Sequence, residues 1–126
     1  MFQYYNANPY GRRVNDCTIR AISLATNKSW NDTYEELSDF ARTQGVMFDN
    51  AIYIDKYLDS NFRKIYGRKD KRQLTVEDFV ELHPQGIFLI TMNNHITCCI
   101  DGVIYDTFYP GNRLVLEAYK VKRRDY

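Results

Sequence analysis

Three residues far apart in the sequence, Cys17, His95 and Asp106, could together do covalent chemistry. A thiol becomes a strong nucleophile near neutral pH when a base and a positive field favour its thiolate. Cys17 follows Asn15 and Asp16, both good N-cap residues. After it come Ile19, Ala21, Ile22, Leu24 and Ala25, with only Arg20 wanting water, so the spacing predicts a helix that is apolar almost all round. Such a helix is normally buried in the middle of a domain. Cys17 then occupies its first turn, where unpaired amides and the macrodipole stabilise a thiolate. A free cysteine is more often a small buried hydrophobe, and on this stretch alone the packing role is the commoner outcome.

His95 and Asp106 come into register through a hairpin. Asp101-Gly102 is a two-residue type I′ turn signal between two runs of β-formers. Ile100 then faces Val103, and counting outward puts Thr97 opposite Asp106 and His95 opposite Phe108. Residues two apart share a face, so His95, Thr97, Cys99, Ile104, Asp106 and Phe108 point the same way. His95 and Asp106 are diagonal neighbours, with Cβ atoms roughly 7 Å apart, within reach of an imidazole–carboxylate hydrogen bond. Singly, His95 could be a turn-edge histidine and Asp106 a cap for the turn at Pro110. Together with a cysteine at a helix N-terminus they have the makings of an activated thiol.

The other candidates offer less. Cys99 shares the His95 face but lies mid-strand without a helix dipole, and Cys98 points the other way, so both read as packing residues. A zinc site from Cys17, His95, Cys98 and Cys99 is disfavoured because neighbouring strand residues diverge. His83 ends a helix before Pro84 with no partner in view. There is no Gly-rich phosphate loop and no Ser-His-Asp pattern.

The elements that must position these residues fall into two halves. The first thirteen residues read as an extended, turn-bearing segment. Asn27 and Lys28 break the central helix. Ser29 with Asp32 approximates a capping box for a second helix, with Trp30, Tyr34, Leu37 and Ala41 at helical spacing and Gly45 as its stop. A third, shorter helix is expected from about Asn50 to Asn61, with Ala51, Ile54, Leu58 and Phe62 inward. Arg63 to Gln73 reads as a polar loop. Thr75 with Asp78 opens a fourth helix with Val76, Phe79 and Val80 on one face, ended by Pro84 and Gly86. Then the period changes. Ile87 to Thr91 is a continuous apolar run suited to a strand buried on both faces, Met92 to Asn94 turn the chain, and His95–Ile100, Val103–Phe108 and Leu114–Lys122 follow as strands. The expectation is one α+β domain over 1–126, a helical part to about 86 and an antiparallel meander from about 87.

A chain of 126 residues is long enough for a core without staples, and 17 Lys and Arg against 16 Asp and Glu name no partner by charge. No apolar run approaches membrane-spanning length and the N-terminus lacks signal-peptide features. Three cysteines, two of them adjacent, make no disulfide framework, so the expected setting is a reducing cytoplasm. The acids concentrate between Ser29 and Ser60, and the bases between Arg63 and Arg72 and again from Lys120 to Arg124. The first basic run sits beside Phe62 and Tyr66, but no recognition motif accompanies it, so a solvated loop is preferred to nucleic-acid binding.

The order of cysteine at a helix start, histidine on a strand and aspartate on the next strand resembles the papain-like cysteine peptidases. More specifically, NPYGRRVNDCTIRAIS (8–23) and TVEDFVELHPQGIFLITMNNHITCCIDGVIYDTF (75–108), with the lengths between them, resemble a family of small papain-like proteins of bacteria and their phages. The likeness covers nearly the whole chain and is loose between Asn50 and Gln73. It implies a papain-like fold, a central N-terminal helix packed on a C-terminal antiparallel sheet. It also implies Cys17 as nucleophile, His95 as general base and Asp106 as the orienting residue. The family places a glutamine six residues before the cysteine as oxyanion donor, and here that position is Gly11. Asn8 is then the first choice of donor, with Asn6, Asn15 or backbone amides behind it. The implied activity is hydrolysis of an amide, peptide or isopeptide bond in a peptide or protein, without metal or cofactor, in a bacterial cell or phage-infected host. Acyl or amide transfer on the same triad, or a non-catalytic binding protein that keeps the fold, are the alternatives.

Overall fold

Short-range signals set most helix ends in the computed structural model, which describes residues 1–67 and 73–123. Helix α1 spans Cys17–Thr26 and stops at Asn27, which takes the left-handed conformation at φ 55°. Helix α2, Trp30–Gln44, starts where the Ser29 hydroxyl accepts the Asp32 N–H and stops at left-handed Gly45. Helix α3, Ala51–Asn61, is capped by the Asn50 side chain, and α4, Val76–Leu82, by a reciprocal Thr75–Asp78 box.

The strands are β1 (Phe2–Tyr4), β2 (Arg63–Tyr66), β3 (Ile87–Met92), β4 (His95–Ile100), β5 (Val103–Asp106) and β6 (Glu117–Val121). They form one sheet in the order β1-β5-β4-β3-β6-β2, antiparallel except where β1 runs parallel to β5. Four helices with a six-stranded sheet make an α+β architecture among the described residues.

Helices cover both faces of the sheet. On one, Ile19, Ile22 and Ala25 of α1, with Leu37 of α2 and Leu58 of α3, pack on Leu89, Ile96, Cys98 and Tyr119. On the other, Val76, Phe79 and Val80 of α4 pack on Phe88, Ile90, Cys99 and Ala118. Strand β3 at the centre is buried at all six positions, as its unbroken apolar run predicts.

The expected meander needs correction. The β3-β4-β5 part holds, but β6 returns to pair with β3. The connection runs back past α4, where Thr75 bridges Leu114 and the Val115 N–H bonds the Leu74 carbonyl. The outer edge of β5 is taken instead by β1, so the chain start belongs to the sheet. Strand β2 likewise arises inside the stretch expected to be a polar loop and pairs with β6. Lys64 lies between Asp59 and Glu117, while Ile65 and Tyr66 pack against the α4-side core, which gives this charged segment reason to be a strand. Positions 68–72 of the expected loop and 124 of the basic tail lie outside the described residues. The division into helices first and sheet second therefore fails at β1 and β2. Strand β5 ends at Asp106 rather than Phe108, and β6 begins at Glu117 rather than Leu114. Ala51, expected inward, is exposed.

Candidate active site

The hairpin counting holds. Asp101 and Gly102 both have positive φ, at 49° and 81°, as a type I′ turn requires, and Ile100 pairs with Val103, Cys99 with Ile104 and Cys98 with Tyr105. In that register the Nε2 of His95 lies 2.7 Å from a carboxylate oxygen of Asp106, with both side chains almost fully buried. Asp106 is held in turn. Its Oδ1 accepts the Thr107 N–H at 2.7 Å, its carbonyl accepts the Tyr5 N–H at 2.9 Å, and the Thr97 hydroxyl, which donates to the Tyr105 carbonyl at 3.5 Å, lies near its carboxylate. The ring of Phe108 lies over the imidazole, with centroids 4.6 Å apart, and Arg113 sits on Phe108. Such a cover keeps water from the His95–Asp106 bond.

Cys17 is the first residue of α1 and is half-buried. Its thiol lies close to the His95 imidazole and to the Ile96 backbone N–H, and both favour the thiolate. Because Asp106 occupies Nε2, the ring nitrogen left for the sulfur is Nδ1. Burial pushes the Cys17 thiol up. The bond to and charge of His95, the Ile96 amide and the charge of Arg20 outweigh it and hold the thiol below its ordinary value. Burial likewise opposes the charge on His95, but Asp106 and Cys17 together push the imidazole up to about 9. Burial raises Asp106, and its bonds to His95 and Thr97 bring it below the usual carboxylate range. All three shifts favour a thiolate–imidazolium pair over a neutral thiol and imidazole. Burial pushes Cys98 far up and Cys99 to about 11, so neither competes as a nucleophile. They pack on opposite faces of the sheet, Cys98 towards α1 and Cys99 towards α4.

Asp16 stands at the N-cap of α1, but its side chain makes no cap bond. Its buried carboxylate instead accepts from Trp30 Nε1 at 2.9 Å and Asn8 Nδ2 at 3.4 Å, and faces Arg20 Nε at 3.0 Å as an ion pair without hydrogen-bond alignment. Arg20, expected to want water, is almost buried, and its Nη1 donates to the Thr107 hydroxyl at 2.9 Å. The first-turn amides of α1 therefore receive no bond from the Asp16 side chain.

A cleft of about 570 Å³ opens over the thiol and the imidazole. Its walls are Asn15 and the first turn of α1, then Phe48, Asp49 and the start of α3, and on the far side Thr91 to Asn94 at the β3–β4 turn. Of the three asparagines considered as oxyanion donors, only Asn15 lines this cleft. Asn8, the first choice, is buried and gives its amide to Asp16, and Asn6 gives its amide to the Arg12 carbonyl. Among the described residues, no group of three His, Cys, Asp or Glu side chains could hold a metal ion, and no helix is long and apolar enough to cross a membrane. His83 bonds the Phe79 carbonyl and stacks on the Phe79 ring, away from the cleft.

Sequence reasoning missed Arg20 and Thr107. The signal was present in Arg20, three residues after Cys17 and four after Asp16, on a helix otherwise too apolar to face solvent. No protein-family model matches this chain, and neither curated proteins nor solved structures include a significant match to it.

Proposed function

We propose that this protein is a papain-like thiol hydrolase of amide, peptide or isopeptide bonds. The observation that carries the reading is the continuous chain from Asp106 through His95 to a thiol at an uncapped helix N-terminus, at the floor of an open cleft. The Cys17 thiolate attacks the carbonyl carbon, and the oxygen takes the negative charge. On this reading the Cys17 backbone N–H and the Asn15 side chain, both at the cleft wall, are the donors that receive it. The tetrahedral intermediate collapses as His95 gives its proton to the leaving amine, which leaves a thioester on Cys17. Water then loses a proton to His95 while attacking the thioester, and the carboxylate product departs with the thiol restored. The three free cysteines suit a reducing compartment, and a bacterial or phage-infected cytoplasm is the setting we infer.

Acyl transfer from p-nitrophenyl acetate tests this directly. The expected result is a burst of nitrophenolate with an acetyl group on Cys17, located by peptide mapping, followed by release of acetate. Loss of the acetyl group only when an amine such as glycinamide is added would point to a transferase. No acetylation of Cys17 in the folded protein would leave a binding protein as the reading.

A further inference from the structure

Besides the contact between thiol and imidazole, a second link joins the nucleophile's helix to the strand that carries Asp106. Arg20 lies one turn after Cys17 on α1, its Nε facing Asp16 and its Nη1 donating to the Thr107 hydroxyl. The backbone N–H of that same Thr107 donates to Asp106. Cys17, Arg20, Thr107, Asp106 and His95 thus form a closed ring of covalent and hydrogen-bonded links.

Resting on the thiol-hydrolase reading, we propose that Arg20 is a positioning residue that sets the thiol–imidazole distance by docking α1 onto Thr107. The fork of a guanidinium suits this task, because it offers donors to Asp16 and Thr107 at once in a fixed plane. The pair is also well insulated, with Arg20 and Asp16 side chains only 11% and 5% exposed. A narrow space beside Arg20 and Cys17 is also lined by Tyr5, Thr97, Tyr105 and Asp106, and the Asp16 carboxylate faces the guanidinium. The positive charge of Arg20 adds a smaller push towards the Cys17 thiolate in the same direction. A solitary stabilising ion pair would need neither Thr107 nor a place one turn from the nucleophile.

Two conservative variants separate these roles. Thr107→Val removes the hydroxyl but keeps the backbone N–H to Asp106 and the Arg20–Asp16 pair. Arg20→Lys keeps the charge but has a single head group that cannot span both partners. The readout is the rate of Cys17 alkylation by iodoacetamide across pH, with unfolding followed in parallel. Each variant is expected to move the alkylation midpoint up towards the ordinary thiol range and to slow alkylation near pH 6.5 by about three- to tenfold. Because both cut one link, the double variant should be no slower than Arg20→Lys alone. If Arg20→Lys does not fold, Thr107→Val decides by itself. Variants that lose thermal stability with an unmoved midpoint, or effects that simply add, would overturn the inference and leave the triad standing. A wild-type midpoint near the free-thiol value of about 8.5 would bring down the triad reading, and this inference with it.

Discussion

At the residue scale, the lowered Cys17 and raised His95 favour a thiolate–imidazolium pair, and this sets what each partner must supply. Once the proton is stored on His95, Asp106 has mainly to hold the ring at its angle and tautomer. An amide oxygen accepts the Nε2 proton as a carboxylate does, whereas a methyl cannot. Asp106→Asn should therefore keep substantial Cys17 alkylation and Asp106→Ala should lose most of it, both proteins remaining folded by circular dichroism. Equal losses would assign the role to charge. For the proposed hydrolase, the pH profile of activity has a sign that follows from the two shifts. Activity should rise as pH climbs through the lowered thiol value and fall as it passes the raised histidine value of about 9, where the proton for the leaving amine is gone. Alkylation needs no proton donor, so it should share the acid limb and lack the alkaline one.

At the scale of elements, local chemistry was legible and long-range choice was not. Ser29, Gly45, Asn50 and Thr75 end or begin helices for reasons written within a few residues, and Asp101-Gly102 fixes the register that joins His95 to Asp106. The return of β6 to β3 depends on which edge is free, and that is decided by β1, a three-residue strand with every side chain exposed and hence no period to read. Strand β2 was hidden in a run of bases for a similar reason, since its partner strand β6 lies more than fifty residues away. Arg20 was misread because its partner Thr107 is 87 positions away. Two substitutions test the local devices. Thr75→Ala should cost about 1 kcal/mol of unfolding free energy through loss of the cap. Gly102→Val puts a branched side chain at φ 81° and should cost about 1–2 kcal/mol or more, while also loosening the hairpin that holds His95.

For the whole molecule, a sheet with a core on each face separates stability from chemistry. Ile22 of α1, fully buried, belongs to the layer that carries Cys17, and Phe79 of α4, 1% exposed, belongs to the layer on the other face. Ile22→Ala should cost about 2–5 kcal/mol and Phe79→Ala about 3–5 kcal/mol in chemical denaturation. Only the first should also slow Cys17 alkylation, because it alone loosens the helix that carries Cys17. The candidate site was legible as a triad because each member sits at a local landmark: a helix start, a strand start and a hairpin position. The oxyanion donor was not, because Asn8 and Asn15 differ only in what the folded loop does with them. The central claim is that His95 activates Cys17, and peptide mapping of limited iodoacetamide labelling near pH 6.5 tests it most directly. The account predicts that Cys17 labels well ahead of Cys98 and Cys99, and that His95→Ala removes most of that lead in a folded protein. Labelling of Cys98 or Cys99 first, or a His95→Ala protein that labels like the wild type, would contradict it.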